Sequence, residues 1–144
     1  MRVAFYNQMF AMNGRRLFSF LKAHYYVHFS NNDKKIKENA NIDRTIRTIK
    51  KSKADIIGIA EVLDYQEKEL KEKLRKLGYE YIYFEKGHRT KYRKMFVEVA
   101  IASKIRCKKI KIRGFPVKNE MGGGGGFIVC YFPGLKMHVV NLHL

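Results

Sequence analysis

Acidic residues are the scarcest ingredient of this chain. Its 144 residues hold 13 Asp and Glu against 30 Lys and Arg, a formal net charge of +17. So one-sided a charge repels itself unless counter-charges lie close by. A polyanionic partner is therefore expected, nucleic acid first and an anionic membrane surface second. The alternative is a Lys-rich solvated surface of the kind some thermophiles carry. Cysteine is also sparse. Two, Cys107 and Cys130, are too few for a disulfide framework. Both lie in apolar, strand-like surroundings and read as buried free thiols of a reducing compartment. Long apolar runs are missing too. Nothing approaches the roughly 18 residues of a membrane span, and "MRVAFYNQMF" lacks the apolar core and small-residue cleavage site of a signal peptide. A soluble, cytoplasmic protein is the expectation.

What is present argues for a packed core. Hydrophobic residues make up 46% and aromatics 13% of the chain, which excludes disorder, and the length suits one domain over 1–144. "RVAFYNQ" (2–8) reads as a strand with Val3, Phe5 and Asn7 on one face. "RRLFSFLKAHYYVHF" places Leu17, Phe20, Leu21 and Tyr25 near helical spacing. After the polar "SNNDKK", Ile42, Ile46 and Ile49 predict a second helix, with cations at its C-terminal end. "ADIIGIAEV" is short, β-branched and almost wholly apolar, the pattern of a strand buried on both faces. A helix follows from Asp64, with Glu67 at capping-box spacing, Leu70, Leu74 and Leu77 inward, and Gly78 as its stop. "YEYIYFE" completes a β–α–β unit. "FVEVAIAS", "KKIKIRGF", "GFIVCYF" and "MHVVNLHL" are strands with no helix between them, the last two joined by a tight turn at "FPGL". Crossovers followed by hairpins predict an α/β (α+β) fold, a mixed sheet with helices on one face. The run Gly122–Gly126 reads as a hairpin loop rather than a phosphate cradle, since no helix and no Lys-Ser/Thr follows it.

Three polar side chains stand where that pattern expects apolar core or a strand end: Asn7, Glu61 and His143. A carboxylate at the end of a doubly buried strand needs a partner. Asn7 and Glu61 both end strands that the crossovers make parallel, and α/β sites gather beyond such ends. One carboxylate plus an amide suits a hard cation such as Mg²⁺, with Mn²⁺ as a substitute, better than zinc. Each residue also has a structural reading: Glu61 paired to a Lys or Arg, Asn7 as a local hydrogen-bonder, His143 as a core histidine. The tract from Lys86 to Arg113 is strongly basic. In it Arg89, Lys91, Tyr92, Arg93, Lys94, Lys108 and Lys109 read as a phosphate or nucleic-acid-binding set, with Tyr92 as a stacking group. A solvated edge strand is the competing reading.

"VAFYNQMF", "ADIIGIAEV" with "LRKLGYEYIYF", "VEVAIASK" and "HVVNLHL" together resemble, in order and spacing, the first half of the endonuclease/exonuclease/phosphatase superfamily, the deoxyribonuclease I-like group. The resemblance implies half of a four-layer α/β/β/α sandwich. It implies Glu61 as the principal Mg²⁺ ligand, Asn7 at the metal–phosphate centre, and His143 of Asn-x-His-Leu against the scissile phosphate. The family's usual glutamine before the glutamate is Ala60 here. Its Gly-Asp-x-Asn and Ser-Asp-His segments, which activate the nucleophile, occur nowhere in the 144 residues. A Mg²⁺-dependent phosphodiesterase or nuclease, N-terminal half and weak or inactive alone, is thus the leading expectation. Behind it stand a non-catalytic basic nucleic-acid-binding module and a phospholipid or phosphoinositide hydrolase. One sheet from each half is implied, so this half would expose an apolar sheet face and pair with itself or with a polypeptide supplying the rest.

Overall fold

A computed structural model of the chain describes residues 1–8, 40–89, 95–111 and 126–143, with Leu21 and Tyr25 as isolated positions. The elements are β1 (Val3–Asn7), α1 (Ile42–Ser52), β2 (Ile56–Leu63), α2 (Glu67–Lys76), β3 (Tyr81–Arg89), β4 (Phe96–Ser103), β5 (Lys108–Ile110), β6 (Gly126–Phe132) and β7 (Met137–His143). Short 3₁₀ turns at Asp64–Gln66 and Pro133–Leu135 lead into α2 and join β6 to β7. Of the helix predicted from Arg15 to Phe29, only Leu21 and Tyr25 lie among the described residues. Both are helical, but more than half exposed, so neither is the inward-facing residue the spacing suggested.

The strands form two sheets. The first is four-stranded and mixed, in the order β1-β2-β4-β3; the second is three-stranded and antiparallel, β5-β6-β7. As the crossovers require, β1 and β2 pair in parallel. β4 inserts antiparallel between β2 and β3, so the β–α–β unit brackets a later strand.

Every residue of β2 is buried, because each of its faces meets a different layer. Ile57, Ile59 and Val62 pack beneath the helices with Ile42, Ile49, Leu70 and Leu74. Ile56 and Ala60 face the other way, against Ile128, Cys130, Phe132 and Val139 of the second sheet. The architecture is α/β/β: helices, mixed sheet, antiparallel sheet. This corrects the expectation of one sheet per half, since both sheets and the apolar layer between them come from this chain.

The helix ends follow their local chemistry. The Asn41 side chain accepts from Arg44 N and caps α1. Gly78, at φ +86°, ends the turn after α2, where a side chain would be strained. Asp64 does not cap α2. Its carboxylate instead accepts from Tyr65 N at 2.9 Å and Phe96 N at 3.3 Å, tying the turn to the start of β4. Both cysteines are free and buried, as expected. No helix among the described residues is long and apolar enough to cross a membrane.

A candidate cation and phosphate site at the carboxyl end of the mixed sheet

The ladder between β2 and β4 runs regularly from Ile56↔Ser103 to Ile59↔Ala100 and resumes at Val62↔Glu98. Ala60 and Glu61 fill the gap as a bulge, with Glu61 in the left-handed region at φ +57°. A bulge re-aims the side chains it carries. Ala60 stays on the inter-sheet face, Val62 returns to the helix face, and Glu61 is only 6% exposed. A glutamate with positive φ is uncommon and costs about 1–2 kcal/mol. Backbone strain of this kind gathers at functional sites.

Three strands converge on this carboxylate. Asn7 Nδ2 donates to Glu61 Oε1 at 2.9 Å from the end of β1, and His143 Nε2 lies 3.1 Å from the same oxygen at the end of β7. The three residues picked from the sequence therefore meet at one atom, although they sit on both sheets. Asn7 turns its nitrogen to Glu61, as any amide facing a carboxylate must. It acts here as a donor that orients the glutamate, where cation ligation would use its oxygen.

Glu61 Oε2 and His143 Nδ1 are both buried and unbonded, as are Gln8 Oε1 and Glu98 Oε2 among the described residues. Buried polar atoms are nearly always satisfied, so the Glu61–His143 pair marks the place where a cation or an anion oxygen would fit. No cluster of three His, Cys, Asp or Glu forms a metal cage among the described residues. One carboxylate oxygen suits a cation that keeps most of its water, as Mg²⁺ does.

Sequence reading passed over the groups that hold the bulge in shape. Gln8, 3% exposed, donates from Nε2 to Glu61 O at 3.3 Å and to Gln66 Oε1 at 2.8 Å. Gln66 Oε1 also accepts from Leu63 N at 3.1 Å, so two glutamines bridge β1, the bulge and the turn. Asn141 donates to Ile59 O and Ala100 O, each at 2.9 Å. In the sequence it stood out only as the asparagine of Asn-x-His-Leu, with no partner to be read for it. Glu98 is a second buried acid, whose signal was a lone charge inside "FVEVAIAS". Burial, with the charges of Glu67 and Asp64 behind it, pushes its carboxyl up to about 7 against the opposing pull of Lys86.

The basic tract divides. β3 ends at Arg89 and β4 starts at Phe96, at the same end of the sheet as Glu61. Lys91, Tyr92, Arg93 and Lys94, which join them, lie outside the described residues, as does the Arg89 side chain. Lys108 is exposed, but it pairs with Tyr131 opposite His138, roughly 16 Å back along β7 from His143 at the rise of a strand. Lys109 points inward: its ammonium donates to Phe84 O at 2.6 Å and pairs with Glu85 at 2.6 Å. It is an inter-sheet strut, and Ile110 takes the outer face at 38% exposure. Lys108 and Ile110 thus share the outer face of β5, and Lys109 takes the inner one.

No family model matches the chain, and neither does any curated protein or solved structure.

Proposed function

We propose that this chain carries the metal-binding half of a Mg²⁺-dependent phosphodiester-cleaving site, of the kind its sequence resembles in the endonuclease/exonuclease/phosphatase superfamily, with nucleic acid as the substrate class. One observation carries the reading. Asn7, Glu61 and His143, drawn from three strands and two sheets, meet at one buried carboxylate oxygen while Glu61 Oε2 and His143 Nδ1 are left unsatisfied.

In this reading Glu61 Oε2 holds the cation. Asn7 Nδ2–H and the His143 ring occupy Oε1 and stop the carboxylate from rotating. When bound, the cation supplies a Lewis acid that polarises a phosphoryl oxygen. A doubly protonated His143 would give Nε2–H to Glu61 and Nδ1–H to a phosphate oxygen, which places positive charge where the transition state gathers negative charge. The Gly-Asp-x-Asn and Ser-Asp-His segments that activate the nucleophile in the family are absent from these 144 residues. We therefore expect the chain by itself to bind cation and polyanion but to turn over slowly or not at all. The strands on either side of the basic residues 90–94 end and begin at the site's end of the sheet, and long-range attraction from the +17 charge raises the local concentration of a polyanion.

The test is a Mn²⁺ titration followed by electron paramagnetic resonance, with Glu61→Gln alongside. Loss of at least about tenfold in affinity in the variant is expected, as for removal of a ligand or its supporting shell. Equal affinities overturn the reading. The net charge of +17 also favours a simpler alternative, a non-catalytic nucleic-acid-binding module. Oligonucleotide binding with a steep salt slope, unchanged by Mg²⁺ and by Glu61→Gln, is its signature.

A further inference from the structure

We infer that Asn141 is the positioning residue that sets the Glu61–His143 contact, in effect a clamp holding the second sheet at a fixed height over the bulge; its meaning for catalysis rests on the function proposed above, its geometry does not.

Asn141 is 4% exposed and lies on the inner face of β7. Its amide nitrogen has two protons, and each has its own carbonyl, Ile59 O and Ala100 O, both at 2.9 Å. Those carbonyls belong to residues paired across β2 and β4. One side chain thus pins three strands, at the last regular pair before the ladder breaks.

Position along the strands does the rest. Glu61 lies two residues beyond Ile59, and His143 two residues beyond Asn141. A period of two returns His143 to the same face as Asn141. The clamp therefore fixes both partners from equal distances back along their own strands. The His143 Nε2–Glu61 Oε1 separation of 3.1 Å is the free end of that frame.

A second residue is shaped to admit the clamp. A Cβ on Gly58 would stand 2.9 Å from Asn141 Cγ and 2.5 Å from a Phe5 ring carbon, closer than real Cβ atoms come. Gly58 is the notch through which the amide reaches the ladder. Only a side chain with two N–H donors on a short arm makes both bonds from there. A leucine of similar volume fills the space and makes neither.

The experiment uses the full chain labelled with ¹³C and ¹⁵N. Asn7 Nδ2 and His143 Nε2 both touch Glu61 Oε1, so a nuclear Overhauser cross-peak between the Asn7 side-chain amide and the His143 ring is expected in the unsubstituted protein. Asn141→Leu is expected to abolish it. Val139→Ala, which loosens the same strand by opening a cavity, is expected to keep it. Persistence in Asn141→Leu, or equal loss in both variants, overturns the inference. Hydrogen exchange at the Asn141 side-chain amide of the unsubstituted protein supplies a check that needs no variant: slowing of about 100-fold or more relative to a free amide is expected, and exchange at the free rate overturns the clamp. Mn²⁺ affinity, expected to fall about tenfold in Asn141→Leu, separates the two claims. A chain that binds no Mn²⁺ sinks the function proposed above, and the cross-peak still decides the role of Asn141.

Discussion

Glu61 occupies a backbone position that a glycine would fill at lower cost. Its φ of +57° is penalised for any side chain with a Cβ, and its buried Oε2 has no partner. Both terms disappear in Glu61→Gly. That variant should melt higher by the equivalent of about 1 kcal/mol while losing cation affinity, whereas Glu61→Gln should lose affinity with no gain in stability. Differential scanning calorimetry beside the Mn²⁺ titration separates the two. A Glu61→Gly protein less stable than the parent would show that the side chain is there for the fold. Glu98 gives a pH dependence whose sign follows from burial. Its carboxyl is raised from 4.5 to about 7 in the folded chain, so folding takes up a proton in that window. Stability is full below about pH 4.5 and is lost as pH climbs toward 7, to a total on the order of 2–3 kcal/mol. Glu98→Gln carries no charge to bury. It should unfold at a higher urea concentration than the parent at pH 8 and show little difference at pH 4.5.

At the scale of elements, the sequence showed most of what it could show. Strands β2, β4, β6 and β7, helices α1 and α2 and the turn at Pro133–Leu135 all fall where periodicity and turn residues put them, because each is governed by local patterning. Asn7, Glu61 and His143 were visible because a polar residue at a strand end interrupts an apolar run. The bulge was not visible, since register between strands far apart in sequence leaves no local mark. Nor were the partners of Asn141, since Ile59 and Ala100 are 82 and 41 residues away. Lys109 misled for a related reason: in a short edge strand the pattern of alternation does not say which face is inward. The hairpin yields a further expectation. Cys130 is fully buried in β6 and Cys107 is 2% exposed just before β5. Their shared hydrogen bond, reinforced by burial, pushes the Cys130 thiol up. Neither should react with an aromatic disulfide reagent in native buffer, and both should react once guanidinium unfolds the chain. Rapid labelling of either one in native buffer would mean that β5–β6–β7 opens on its own.

Considered as a whole, the molecule builds its candidate site across the seam between its two sheets. Asn7 and Glu61 come from one sheet and His143 from the other, while a Cβ on Gly126 of β6 would lie 3.0 Å from the Gly87 backbone of β3, so the backbones nearly touch at the same end. Such closeness leaves the sheets free to part but not to press nearer. Contacts across that seam join residues far apart in the chain, the kind that form late. During refolding, secondary structure should therefore return ahead of Mn²⁺ binding, a sequence that stopped-flow circular dichroism and manganese relaxivity would resolve. For so cationic a chain the order has a biological edge. Under the function proposed above, an unfinished molecule already attracts a polyanion through its +17 charge while its metal site is still unbuilt. Cation loading is then, under that same function, a certificate of completed folding, issued only once both sheets have closed.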